Sequence, residues 1–127
     1  MQWPLLIAIA VGGALGSLAR HFLSSSIYGV TGGAFPWGIF VVNVLGGFLM
    51  GLVVEFGALK LSYSPEMRAF LTTGMLGGFT TFSAFSLDAA LLIERGDWMS
   101  AALYMAGSVA LSVLALFGGL SLVRALS

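Results

Sequence analysis

Four long apolar stretches leave this chain little choice of fold: about Leu5 to Leu23, Trp37 to Leu59, Ala69 to Ile93 and Met99 to Val123. Each is near or above the roughly 20 residues that an α-helix needs to cross a bilayer. In a chain of 127 residues the connections between them leave no room for a soluble domain, so one four-helix transmembrane domain over 1–127 is expected. Composition agrees: 8% of the residues are charged and mean hydropathy is +1.06, against about a quarter charged in an ordinary soluble domain. No Lys or Arg precedes the first run, and the small triplet Ala8-Ile9-Ala10 lies inside it, so it is expected to remain as a span and not to be cleaved as a signal peptide. The chain has no cysteine, which excludes disulfides and thiolate metal sites or catalysis.

Charge placement bears on orientation. With four spans, Lys60, Arg68 and Arg124 share one side of the membrane, and Arg20 and Arg95 lie on the other. Orientation follows the Lys/Arg bias of short connections, and three against two is almost none. Weakly determined topology, with insertion both ways up and antiparallel pairing, is one reading; the other is that so small a count carries no information.

Gly12, Gly13 and Gly16 in the first span, and Gly46, Gly47 and Gly51 in the second, contain glycine pairs four residues apart. In lipid such pairs let helix backbones approach closely, so they are expected to be packing faces. The first connection, Ser24 to Pro36, is rich in Ser, Gly and Thr and is expected to be loop. Ser64-Pro65-Glu66 reads as an N-cap, a first-turn proline and an acid opening the third span. Glu94-Arg95-Gly96-Asp97 reads as a tight turn, and Trp3, Trp37 and Trp98 fall at span ends, where an amphipathic ring favours the interface.

The third span contains GMLGGFTTFSAFS, from Gly74 to Ser86. Two glycines followed by Thr80 and Thr81 weaken a helix and offer a break near Gly77 to Thr81. At membrane depth a break is tolerated only where its freed backbone groups face protein, water or an ion. Freed carbonyls suit a hard cation such as Na⁺, and two such breaks meeting at a dimer axis could enclose one; an unbroken helix whose glycines only pack is the alternative. Phe79, Phe82 and Phe85 recur every third residue and are expected near one helical face. They either pack, or turn electropositive ring edges toward an anion beside hydroxyl donors. In the fourth span Tyr104, Ser108 and Ser112 form a polar stripe at four-residue spacing, which suits a polar path or a helix contact. Asn43, mid-span, belongs with one or the other.

Arg20, Glu55 and Asp88 are the charged residues inside the spans. Arg20 is expected to snorkel to the interface or to stand at a pore mouth and concentrate anions. Asp88 is either a functional acid or a partner of a cation. His21, Ser24 to Ser26 and Asp88 include the residue types of a hydrolase triad, yet no motif supports a nucleophile, so no enzyme is expected.

The run NVLGG from Asn43 to Gly47, the run TGMLGGFTTFSAFS from Thr73 to Ser86, Glu94-Arg95-Gly96, and Tyr104 with Ser108 closely resemble the Fluc (CrcB-like) fluoride channels of bacteria. The GGxTTFSxFS core is highly specific, and the resemblance covers essentially the whole chain. It implies an all-α membrane protein of the bacterial plasma (inner) membrane, an antiparallel dual-topology homodimer whose two pores passively release fluoride from the cytoplasm and relieve its toxicity. It implies that Phe82 and Phe85 line the pores, with Asn43, Ser83, Ser86, Tyr104, Ser108 and Ser112 assisting the ion and Arg20 at the vestibule. It implies a structural Na⁺ at the dimer interface on the backbone carbonyls of Gly77 and Thr80. No nucleic-acid partner is expected. Asp88 stands where family members often carry Glu, and Ile39 where some carry a hydroxyl residue. A small proton-coupled exporter of cations, working through Asp88, and a non-transporting assembly subunit are the rival readings.

Overall fold

The computed structural model describes residues 3–127, and Met1 and Gln2 lie outside the described residues. Every element among the described residues is helical: α1 Trp3–Thr31, α2 Trp37–Leu59, then a third span split into α3 and α4, and α5 Trp98–Leu126. α3 runs over 65–79 as Pro65–Ala69, a π-helical stretch Phe70–Leu76 and Gly77–Phe79, and α4 is Ser83–Glu94. Four segments are long and apolar enough to cross a membrane, the third being Pro65–Glu94 as a whole. The chain is a multi-pass membrane protein.

Local chemistry explains most of the ends. Ser64 caps α3, its hydroxyl accepting from the Met67 amide at 3.1 Å with Pro65 behind it. Gly32 and Gly96 take positive φ, 77° and 78°, and end α1 and α4 where a side chain would be strained. Trp3, Trp37 and Trp98 each open a helix.

One expectation fails here. The Ser24 to Pro36 segment is loop only from residue 32; α1 continues to Thr31. The hydroxyls of Ser24, Ser26 and Thr31 donate back to the carbonyls of His21, Phe22 and Ile27, at 3.3, 2.8 and 2.9 Å. That local bonding satisfies the hydroxyls without leaving the helix.

Two seams hold the bundle. At the first, Gly12 and Gly16 of α1 face the α3 backbone: a Cβ on Gly12 would lie 2.5 Å from the Phe70 carbonyl oxygen, and one on Gly16 would overlap that of Met75. At the second, a Cβ on Gly47 would lie 2.6 Å from the Ser112 oxygen, while Gly51 meets Leu116 and Gly119 meets Phe48 in the same way. Both glycine pairs read from the sequence are therefore backbone-to-backbone contacts. Beside the second seam, the buried Glu55 of α2 is ion-paired with Arg124 of α5.

Candidate functional site

The centre of the third span is not helical. Thr80 is extended, with φ −81° and ψ 157°, and helix resumes at Ser83. Gly77 and Gly78 are themselves helical, so they do not form the break. Gly78 instead packs on α1, where a Cβ would lie 2.6 Å from the Gly13 carbonyl oxygen. The interruption is made by Thr80 to Phe82, and side chains from elsewhere hold it open.

In a continuous helix the Thr81 and Ala84 amides would bond the carbonyls of Gly77 and Thr80. Here the Thr81 amide donates to Asn43 Oδ1 at 2.8 Å, and the Ala84 amide donates to Thr81 Oγ1 at 3.1 Å. Asn43 Nδ2 donates in turn to the Thr81 carbonyl at 3.0 Å, so the α2 carboxamide pairs with both backbone groups of one residue of the break, as a residue of a neighbouring strand would. Arg20 Nη1 donates to the Gly78 carbonyl at 3.1 Å. The carbonyls of Gly77 and Thr80 are left without their helical donors, and Gly77 is exposed.

Beside the break a groove of about 390 Å³ opens between α2, α4 and α5. Asn43, Phe82, Phe85, Ser108 and Ser112 line it, with Thr80, Thr81, Gly46, Gly47 and Met50. No charged side chain contributes to its lining. The Ser108 hydroxyl is buried on this wall and has no hydrogen-bond partner among the described residues. Asn43 has two amide hydrogens, one of which is used on Thr81, leaving one donor to offer.

The three phenylalanines do not share a face. The break at Thr80 separates them: Phe79 is buried against Gly46, its ring carbon 3.4 Å from where a Cβ would stand, whereas Phe82 is 77% exposed. Phe82 and Phe85 lie 5.6 Å apart between centroids and tilted by 45°. Phe85 continues to Tyr104 at 5.0 Å, and Tyr104 to Phe35 at 5.5 Å and 88°. Tyr104 is fully buried, donates its hydroxyl to Asp88 at 3.3 Å and stays off the groove lining. Its stripe thus divides, Ser108 and Ser112 facing the groove and Tyr104 the aromatic core with Ile39 and Phe85.

Ser83 and Ser86 are exposed and also lie off the groove; Ser86 donates to the Phe82 carbonyl at 2.9 Å, and Ser83 lies 3.4 Å from the Thr81 hydroxyl. Arg20 does not snorkel away: it lies within α1 and is bonded at the break. Thr81 is thus more than a weak helix former: its hydroxyl caps the helix that resumes beyond it. A hydroxyl residue three before an amide at a helix start is a capping signal, and it was available at Thr81 and Ala84. The Asn43 pairing had no such signal, since its partner is 38 residues away.

A family model described as CrcB-like protein, Camphor Resistance (CrcB), matches residues 7–120. Among curated proteins, the chain is 52% identical over 121 residues to the fluoride-specific ion channel FluC of Rhizobium meliloti (strain 1021), covering 95% of this chain and 97% of that one. It is 50% identical over 121 residues to that of Rhodopseudomonas palustris (strain BisB5), covering 95% and 98%. It is 53% identical over 121 residues to that of Chelativorans sp. (strain BNC1), covering 95% and 97%.

Proposed function

The chain belongs to the CrcB-like family, whose members are ion channels and not enzymes, and on that premise we propose that it is a passive, fluoride-selective channel of the bacterial inner membrane. The carrying observation is the groove itself: an uncharged wall that brings an unpartnered, buried Ser108 hydroxyl beside Ser112, Asn43 and two phenylalanine rings. Stripping water from an anion in a low-dielectric medium costs tens of kcal/mol by Born estimates. Several neutral donors, each weak, replace part of that hydration and still let the ion leave. Here they are the Ser108 and Ser112 hydroxyls, the remaining Asn43 N–H and the electropositive edges of Phe82 and Phe85. A fixed cation in the groove would hold the ion too tightly, and none lines it. The exporter reading needs an acid on the path; Asp88 accepts from Tyr104 and lines a separate crevice with Tyr28 and Arg95, outside the groove.

The working unit in this reading is an antiparallel homodimer with two pores. Support comes from the break, since exposed Gly77, Phe82, Ser83 and Ser86 surround freed backbone that lipid cannot satisfy and a second copy can. Among the described residues no three His, Cys, Asp or Glu side chains converge, so any resident metal must use other donors. The freed carbonyls of Gly77 and Thr80 are neutral oxygen donors of the kind a hard monovalent cation accepts. A structural Na⁺ bound there, with the same carbonyls of a second copy, would tie the two breaks together.

The test is efflux from liposomes loaded with potassium fluoride, followed by a fluoride electrode after valinomycin, and repeated with chloride. Fluoride release without chloride release is the expected result. Silence for both anions through verified, folded protein would overturn the reading and turn attention to cation exchange at Asp88.

A further inference from the structure

The end of the bundle where α2 passes into α3 carries a second concavity, a crevice of about 310 Å³. Val54 and Ala58 from the last turns of α2 form its apolar side; Ser62, Tyr63, Arg68 and Thr72 form its polar side. We propose that this crevice binds the phosphate of an anionic phospholipid headgroup, a site independent of the fluoride reading.

Position comes first. Val54 is eleven residues beyond Asn43, about 16 Å along α2, and Lys60 follows the helix end, so the crevice lies at the membrane–water boundary and away from the groove. Charge comes second. Of the chain's arginines, Arg20, Arg95 and Arg124 each hold a carbonyl or a carboxylate. The Arg68 guanidinium holds neither among the described residues, and Glu66, the nearest acid in sequence, is not part of the lining. A guanidinium fork matches two oxygens of a phosphate, and the Ser62 and Tyr63 hydroxyls stand beside it as further donors. Shape comes third. Tyr63 closes the crevice by lying over Gly57, where a Cβ would come 2.5 Å from the ring. The apolar side then suits the glycerol and first acyl carbons of a lipid, which a free phosphate lacks. Basic pockets between spans at a membrane face recognise anionic headgroups on this principle.

Native mass spectrometry of the purified chain in neutral detergent, titrated with dioleoyl phosphatidylglycerol or dioleoyl phosphatidylcholine, tests the site. Phosphatidylglycerol is expected to bind about fivefold more tightly than phosphatidylcholine, and Arg68→Gln to abolish that preference. Tyr63→Phe is expected to weaken it less, and Arg95→Gln at another connection to leave it intact. Thermal unfolding in the same micelles verifies that each variant is folded. Equal affinity for the two lipids, or equal losses in Arg68→Gln and Arg95→Gln, would overturn the proposal. So would displacement of the lipid by inorganic phosphate at matched concentration, which would make the crevice a free-anion site.

Discussion

The seam between α2 and α5 and the broken third span lie side by side and are built on opposite principles. In the seam, two continuous helices touch through glycines, with Gly47 on Ser112, Gly51 on Leu116 and Gly119 on Phe48, and their backbone bonds stay internal. At the break, glycines also pack, yet the backbone bonds of Thr81 and Ala84 are handed to side chains, one from Asn43 on α2 and one from Thr81 itself. The difference teaches that glycine sets how near two helices come, whereas a polar side chain with peptide-like geometry decides where a helix stops.

Removing the side chain that holds the break should have the largest effect. Asn43→Leu keeps the bulk, abolishes both bonds to Thr81, and leaves a part-buried amide and carbonyl unpaired, at about 1–3 kcal/mol each. Thermal unfolding in detergent should drop accordingly, and an unchanged midpoint would mean that the break needs no support from α2. Next comes the seam. Gly51→Val drives a side chain into the Leu116 carbonyl and should lower stability by about 1–3 kcal/mol, read as lost monodisperse protein on size exclusion.

Phe82→Ile and Phe85→Ile test the groove. Fluoride efflux should fall roughly tenfold, equivalent to about 1.4 kcal/mol on the barrier, with the folded assembly retained; normal flux in both would remove the ring edges from the mechanism. Ser108→Ala separates conduction from folding more finely. It deletes a buried hydroxyl that has no partner, so stability should hold or rise while fluoride efflux slows by roughly threefold. Smallest is Gly13→Ala, where an added Cβ meets nothing within 4 Å, and the shift in stability should stay under about 0.5 kcal/mol in contrast to Gly51.

Much of this was legible in the sequence. The four spans follow from hydropathy, the Ser64 cap from its neighbours, the glycine seams from four-residue spacing, and an interruption of the third span from weak helix formers, although it falls at Thr80 to Phe82 and leaves Gly77 and Gly78 helical. Asn43, Phe82, Phe85, Ser108 and Ser112 do meet on one groove. Spacing arguments failed in two ways: Phe79 left the Phe82 face because the helix is interrupted at the extended Thr80, and within the continuous α5 Tyr104 turned to Asp88 while Ser108 faced the groove, so equal spacing did not mean a shared partner. The extension of α1 to Thr31 is not legible from composition, because Ser and Thr favour loops in general while here their hydroxyls bond the preceding turn.

Sequence by itself determined that this chain spans a membrane four times, that its third span yields near the centre, and which family it belongs to. These are properties of runs and motifs, in which each residue's contribution is fixed by its own solvation or its near neighbours. Only the tertiary structure decided which carbonyls the break releases, that Arg20 binds Gly78 and not the interface, and that Glu55 is neutralised by Arg124. In each case the deciding partner is 38 to 69 residues away. A buried polar group in an apolar bundle bonds whichever partner the packing brings within reach, and local sequence carries no record of that partner.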